Sequence, residues 1–201
     1  MTADLPPVDT LWLDTLQRVC TRAAHELKGA LNGVSVNLEV VRARSERPDA
    51  QASAVASFAA SAAEQLVTVI TMTEALLSLA RPAREPVEIG PLIRRLDALL
   101  GATTGADEHK LEIRGAVDDL GATSAGGTSA RLVLAATLLA SLEASAHVVC
   151  EADAGDVAAV VRVACLDGAA AALDPDVVTV AAEQGIRVRP ESSSVSISFP
   201  R

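Results

Sequence analysis

Apolar residues recur every three or four positions along two long stretches of the chain, and that spacing constrains the fold more than any other feature. From about Val8 to Glu46, Leu13, Leu16, Cys20, Ala23, Leu27, Leu31, Val34, Leu38 and Val41 form one stripe on a long helix. Ser45-Glu46-Arg47-Pro48-Asp49 stops it, because the proline ring disfavours helical backbone at the residue before it. From about Asp49 to Ala80, Val55, Phe58, Ala62, Leu66, Val69, Thr73, Leu76 and Ala80 repeat the pattern. A short connection between two long amphipathic helices forces an antiparallel hairpin. Two helices alone cannot enclose their apolar stripes. Pairing two hairpins into a four-helix bundle would, and predicts a homodimer. The other arrangement is a hairpin packed on the rest of its own chain.

The sequence changes character after residue 81. Residues 82–87 read as a linker, and the segments beyond it are shorter, mixed and rich in turn signals. Helices are expected over Ile89–Leu100, over Ser129–Ala146 with Ser129 as N-cap, and from Asp174-Pro175 to Gly185. Strands are expected over His109–Gly115, His147–Glu151, Val157–Cys165, Ile186–Arg189 and Val195–Phe199, with 121–128 a flexible loop. The predicted class is therefore α+β. A helical hairpin at 8–81 precedes a small α/β sandwich at 88–201, a sheet covered by about three helices.

Composition narrows the function classes. The chain has 201 residues, with 17 Lys+Arg against 26 Asp+Glu and a formal net charge of −9. An acidic surface argues against general nucleic-acid binding, which needs cations to replace counterions. With Trp12, Phe58 and Phe199 as the only aromatics, base-stacking platforms are scarce too. No apolar run reaches the roughly 18–20 residues of a membrane span, and the first residues have neither the basic nor the apolar region of a signal peptide. Cys20, Cys150 and Cys165 form no CxxC pair, which excludes a disulfide framework and a zinc ribbon and fits a reduced cytoplasm. His109 and His147 flank strands, have no Cys or carboxylate at ligand spacing, and read as structural.

His25 differs. It stands mid-helix, about 160° round from the centre of the apolar stripe, so it should project into solvent. Gly29 lies one turn on along the same face, in a sequence that uses Ala freely elsewhere, although Gly inside a helix costs about 1 kcal/mol. Close approach of another molecule beside the histidine would justify it. Arg18, Arg22 and Lys28 surround His25 with a small basic island in an acidic protein. Cations there would stabilise an added phosphoryl group, and neutral imidazole is a competent nucleophile near pH 7. A zinc-protease motif fails because Gly29 stands where the second His belongs, and Gly121–Thr128 lacks the lysine of a P-loop.

The run His25-Glu26-Leu27-Lys28-Gly29-Ala30-Leu31-Asn32-Gly33-Val34 resembles the H-box of two-component sensor histidine kinases. In that family it lies on the first helix of a dimeric hairpin. The resemblance implies that His25 is the phosphoacceptor, that Glu26 accepts a hydrogen bond from its imidazole, and that Lys28 stands near the phosphate. Ala30 replaces the usual Pro, and Gly29 replaces the Asn or Thr that positions water for dephosphorylating a partner. The second half is similar in element order to the kinases' ATP-binding domain. Leu132–Ser145 matches its Asn-bearing helix, but Thr137 and Ser141 stand at the Asn positions. Asp167-Gly168-Ala169-Ala170-Ala171 keeps the Asp of the Gly-rich box without its later glycines, and the stretch from Cys165 to Val177 is too short for a nucleotide lid.

These departures imply no cradle for ATP and no ligand set for Mg²⁺. A histidine hairpin with a degenerate kinase-like domain is the design of dimeric histidine phosphotransferases in bacterial phosphorelays. The resemblance implies a cytoplasmic homodimer that shuttles phosphate between the aspartates of response-regulator receiver domains through His25. It needs no ATP, and the receiver supplies Mg²⁺. Docking would use Arg18, Arg22, Gly29, Asn32 and Val36. The alternative is an inactive histidine-kinase-like scaffold that binds the same partners; Glu26 and Lys28 favour the first reading.

Overall fold

In the computed structural model, residues 6–47, 52–82, 86–101, 110–155, 157–168 and 170–201 are described. Helix α1 (Val8–Ser45) and helix α2 (Ser53–Ala80) form the antiparallel hairpin. Arg42 and Arg44 in the last turn of α1 oppose the negative end of its dipole. The Arg44 guanidinium lies 4.6 Å from the Phe58 ring centre and clips the hairpin tip. Midway, Asn37 Nδ2 donates to Gln65 Oε1 at 3.2 Å, a polar tie inside the helix pair.

Next come β1 (Val87–Glu88), α3 (Ile89–Leu100), β2 (Lys110–Gly115), a 3-10 turn (Val117–Asp119), β3 (Ala122–Thr123), α4 (Gly127–Ala144), β4 (His147–Ala154), β5 (Ala158–Cys165), α5 (Pro175–Glu183), β6 (Arg187–Pro190) and β7 (Ser194–Pro200). The chain is α+β, a long helical hairpin followed by a small sheet unit. The main sheet runs β2-β4-β5-β7-β6, with β2 and β4 parallel and the other pairs antiparallel. Strand alternation sends Leu111, Val148, Cys150, Val161, Val163, Ile197 and Phe199 into the core. It leaves Glu112, Arg114, Glu151 and Arg162 on the other face. Burial pushes the Cys150 thiol up to about 12, so it serves as a small core hydrophobe; Cys165 is buried as well, and Cys20 is half-buried.

Helix α4 is buried almost all round, as a helix at the centre of a layered core must be. It packs on β4, β5, β7 and α5 on one side and on α1 and α3 on the other. The hairpin thus does pack on its own chain, through one end: Val19, Ala23, Met72, Ala75 and Leu79 join the same core as α3 and α4. The remainder of the hairpin leaves large apolar side chains uncovered, including Leu31, Leu38, Leu66, Ile70 and Leu77.

Three expectations need correction. The segment 121–128 is not a loose loop. β3 pairs with β1, and the Thr123 hydroxyl donates to the Pro200 carbonyl at 2.7 Å and accepts from Ala125 N–H at 3.1 Å. Helix α4 starts before Ser129, with Gly126 as N-cap and its N–H bonded to Gln184 Oε1, while Ser129 is buried inside the helix. Finally, Val55–Ala80 is long and apolar enough to cross a membrane by length and composition, because alanine carries its hydropathy across two glutamates. Here that helix lies along α1 and seats Met72, Ala75 and Leu79 in the core. His109, expected to open a strand, falls outside the described residues.

Two glycines after the hairpin separate crowding from backbone strain. Gly115 has φ +85° and a Cβ there would collide with the Ala152 carbonyl oxygen, whereas Gly121 has φ +67° with nothing within 4 Å. Gly115→Ala should therefore destabilise by about 2–4 kcal/mol, and Gly121→Ala by about 1 kcal/mol from left-handed strain alone. Urea unfolding of the two variants checks the order.

Candidate functional site

His25 lies beyond the part of α1 that the sheet unit covers. The buried residues of α1 are Thr15, Val19 and Ala23; from His25 to Ser45 every described position is half-buried or exposed. The imidazole is exposed and makes no hydrogen bond or ion pair with the described residues. At 100° per residue, Leu13, Leu31 and Leu38 fall within about 20° of one line, and His25 stands roughly 120–140° round from it. It also stands about 110° from the face that meets α2. The ring thus points away from both apolar surfaces of its helix.

The neighbours divide into two groups. Lys28, Gly29, Asn32 and Val36 are exposed on the tip side of His25, and Glu26 and Arg22 are half-buried beside it. Val36 stands about 16 Å from His25 along the helix and is 59% exposed, an apolar residue with no cover from its own chain. Arg18 belongs to the other group. Its Nη2 sits 2.6 Å from Glu143 Oε1 at the end of α4. So Arg18 ties α1 to α4 through an exposed ion pair, with half of its side chain open to solvent. Asp14, Gln17, Arg18, Thr21, Arg22, Leu139 and Glu143 line an open groove of about 530 Å³ along this contact, and it runs up to the turn before His25.

Further along α4 from its glycine-rich start lie Thr137 and Ser141, the two residues that the resemblance set at the Asn positions. Thr137 is fully buried and its hydroxyl donates back to the Val133 carbonyl at 2.7 Å. Ser141 is fully buried, and its hydroxyl oxygen has no protein partner among the described residues. The Asp167 carboxylate accepts from the His147 backbone N–H at 3.0 Å and lies 2.7 Å from His147 Nδ1. Ser145 Oγ donates to the His147 carbonyl at 2.7 Å and accepts from the Asp167 N–H at 3.4 Å. Sequence spacing missed this pair, since the two residues are distant in the chain and meet only when the ends of β4 and β5 align. Among the described residues, no group of three His, Cys, Asp or Glu side chains converges to hold a metal ion.

No protein-family model and no curated protein matches the sequence. Among solved structures, the chain is similar to the Acinetobacter baumannii histidine kinase AdeS, with a TM-score of 0.39 and 11% sequence identity over 88% of this chain and 97% of that one.

The hydrogen bond from His147 holds the Asp167 carboxyl below its ordinary value of 3.8. A carboxylate with a depressed folded pKa contributes stability that is present above its unfolded pKa and lost as pH falls through the folded one. The difference in urea midpoint between wild type and Asp167→Asn should therefore be positive at pH 6 and shrink towards zero as pH drops below about 4. A difference independent of pH would mean the carboxylate is not engaged in solution.

Proposed function

We propose that the protein is a phosphorelay histidine phosphotransferase that carries a phosphoryl group on His25 between the aspartates of receiver domains. The observation that carries the reading is the placement of His25: an unpaired, exposed imidazole just outside the covered end of a long helical hairpin, with Lys28 one turn round and a clear strip of helix beyond it. Its Nε2 attacks the phosphorus of a receiver's aspartyl phosphate in line. The N–P bond forms, the acyl-phosphate O–P bond breaks, and the receiver's carboxylate leaves with the electron pair. Glu26 takes the hydrogen bond from Nδ1–H and keeps the ring nucleophilic as it gains charge. Lys28 and Arg22 offset the negative charge of the phosphoryl group. The reverse step returns the group to a second receiver, which brings its own Mg²⁺. Gly29, Asn32 and Val36 form the docking strip.

Two features support transfer over ATP-dependent phosphorylation. The Asp167 carboxylate is engaged by His147, and Thr137 and Ser141 are enclosed in the core rather than open to a ligand. Neither Thr nor Ser supplies the amide oxygen that would hold Mg²⁺ beside a triphosphate.

The hairpin surface supports a homodimer. Leu31 and Leu38 of α1 are 50% and 53% exposed, and Leu66 and Ile70 of α2 are 47% and 49% exposed. A second hairpin laid on these faces would complete a four-helix bundle and leave His25 outside it. The double variant Leu38→Glu/Ile70→Glu should run as a monomer by light scattering at concentrations where the wild type is dimeric, because two charges would be buried in the seam. A wild type that is monomeric at all concentrations overturns this.

Transfer is tested by mixing the protein with a phosphorylated receiver domain and following acid-labile label. His25→Ala should abolish labelling, and Glu26→Gln should slow it roughly 100-fold with unchanged stability. Label retained in His25→Ala places the chemistry elsewhere. No label with any receiver leaves the scaffold as the better reading.

A further inference from the structure

Where the hairpin meets the sheet unit, three arginines surround one cavity. It has a volume of about 430 Å³ and is lined by Arg81 at the end of α2, Pro82 and Pro86 of the connection, Glu88 of β1, Pro91 and Arg95 of α3, and Arg131 of α4. Glu88 is the one carboxylate among those lining residues, against three guanidiniums, in a chain whose net charge is −9. None of the three arginines forms an ion pair with a described residue, although elsewhere Arg18, Arg94, Arg114 and Arg162 all do.

Arg131 is the informative member. It is 8% exposed, the sole arginine among the described residues that is buried. Its Nη1 donates to the Arg81 carbonyl at 2.8 Å and to the Leu79 carbonyl at 3.4 Å, capping the C-terminal end of α2. Its Nη2 and Nε have no acceptor among the described residues and are not enclosed by protein, so donors of a largely buried charged side chain remain open to a ligand. Burial and the neighbouring Arg95 guanidinium both push Arg131 below its ordinary value, the direction expected where a negative partner is wanting.

We propose that this cavity is a binding site for a small phosphorylated molecule, about the size of a mononucleotide, whose phosphoryl oxygens are held by Arg95 and Arg131. Guanidinium forks match phosphoryl oxygens in pairs. The three prolines and Val87 supply an apolar wall for the body of the ligand, and the volume is within the range of small-ligand sites. The cavity is at the opposite end of α4 from Ser141 and Asp167, and it is separate from His25. Because its described walls come from the end of α2, Pro82, Pro86, β1, α3 and α4, an occupant would stiffen the junction of the hairpin with the sheet unit. The ligand would act as a regulator of that junction and not as a phosphoryl donor.

The test uses the full chain, isothermal titration and thermal unfolding, with inorganic pyrophosphate and AMP as probes and adenosine as the uncharged control. Pyrophosphate and AMP should bind saturably and raise Tm with concentration, and adenosine should do neither. Arg95→Gln should weaken binding at least about tenfold, the loss of one charge-assisted contact, while Arg94→Gln and His25→Ala leave it unchanged. Arg131→Lys keeps the charge and a donor for the α2 carbonyls but removes the fork; it too should weaken binding. No saturable binding up to about 10 mM, or equal binding by Arg95→Gln and Arg131→Lys, or loss of binding in His25→Ala, overturns the proposal.

Discussion

Two helices lying side by side can each hide only one face, and much of this molecule depends on how the hairpin disposes of the others. One face of each helix meets its partner in the hairpin. Near the open end, Val19, Ala23, Met72, Ala75 and Leu79 are taken into the core of the sheet unit. Farther towards the tip Leu31, Leu38, Leu66 and Ile70 stay about half exposed. His25 is set at the boundary between these zones, on the remaining polar face. A side chain there is held by a helix yet meets solvent. Rigid placement would serve the proposed in-line transfer, because small displacements of reacting atoms cost large factors in rate.

The sheet unit positions the hairpin through α4. Its C-terminal end holds α1 through the Arg18–Glu143 ion pair, and its N-terminal half holds α2 through Arg131 on the last carbonyls of that helix. The exposed ion pair is worth little in stability, but it sets which way Arg18 points. The buried Arg131 contact has more at stake, because stranding a desolvated guanidinium is costly. The hairpin thus meets the sheet unit through the shared apolar core, with one arginine contact towards each end of α4.

The long-period elements were legible in the sequence: α1 and α2, the helix at Ile89, α5 with Pro175 in its first turn, and the final hairpin of strands all sit where periodicity and turn residues put them. The exposure of His25 was legible for the same reason, since azimuth on a helix is fixed by spacing alone. The features that escaped the sequence depend on contacts between distant residues. The β1–β3 pair is two residues long on each side, too short for any alternation to register. Ser129 has the chemistry of an N-cap, yet the helix starts earlier, with Gly126 as N-cap, and Ser129 is buried within it. The Arg18–Glu143 and His147–Asp167 pairs join residues that no local pattern connects. Arg131 reads as one more surface arginine until α4 is found to be buried all round.

The proposed chemistry requires that the His25 imidazole be both accessible and nucleophilic. Incubation of the intact protein with phosphoramidate, a small phosphoryl donor that needs no docking surface, tests this when ³¹P NMR is combined with mapping of the modified residue. An acid-labile phosphohistidine should form at His25, at a rate reduced by Glu26→Gln. No phosphohistidine at His25 while an exposed histidine in a control peptide is labelled, or a rate at His25 unchanged by Glu26→Gln, would contradict the assignment.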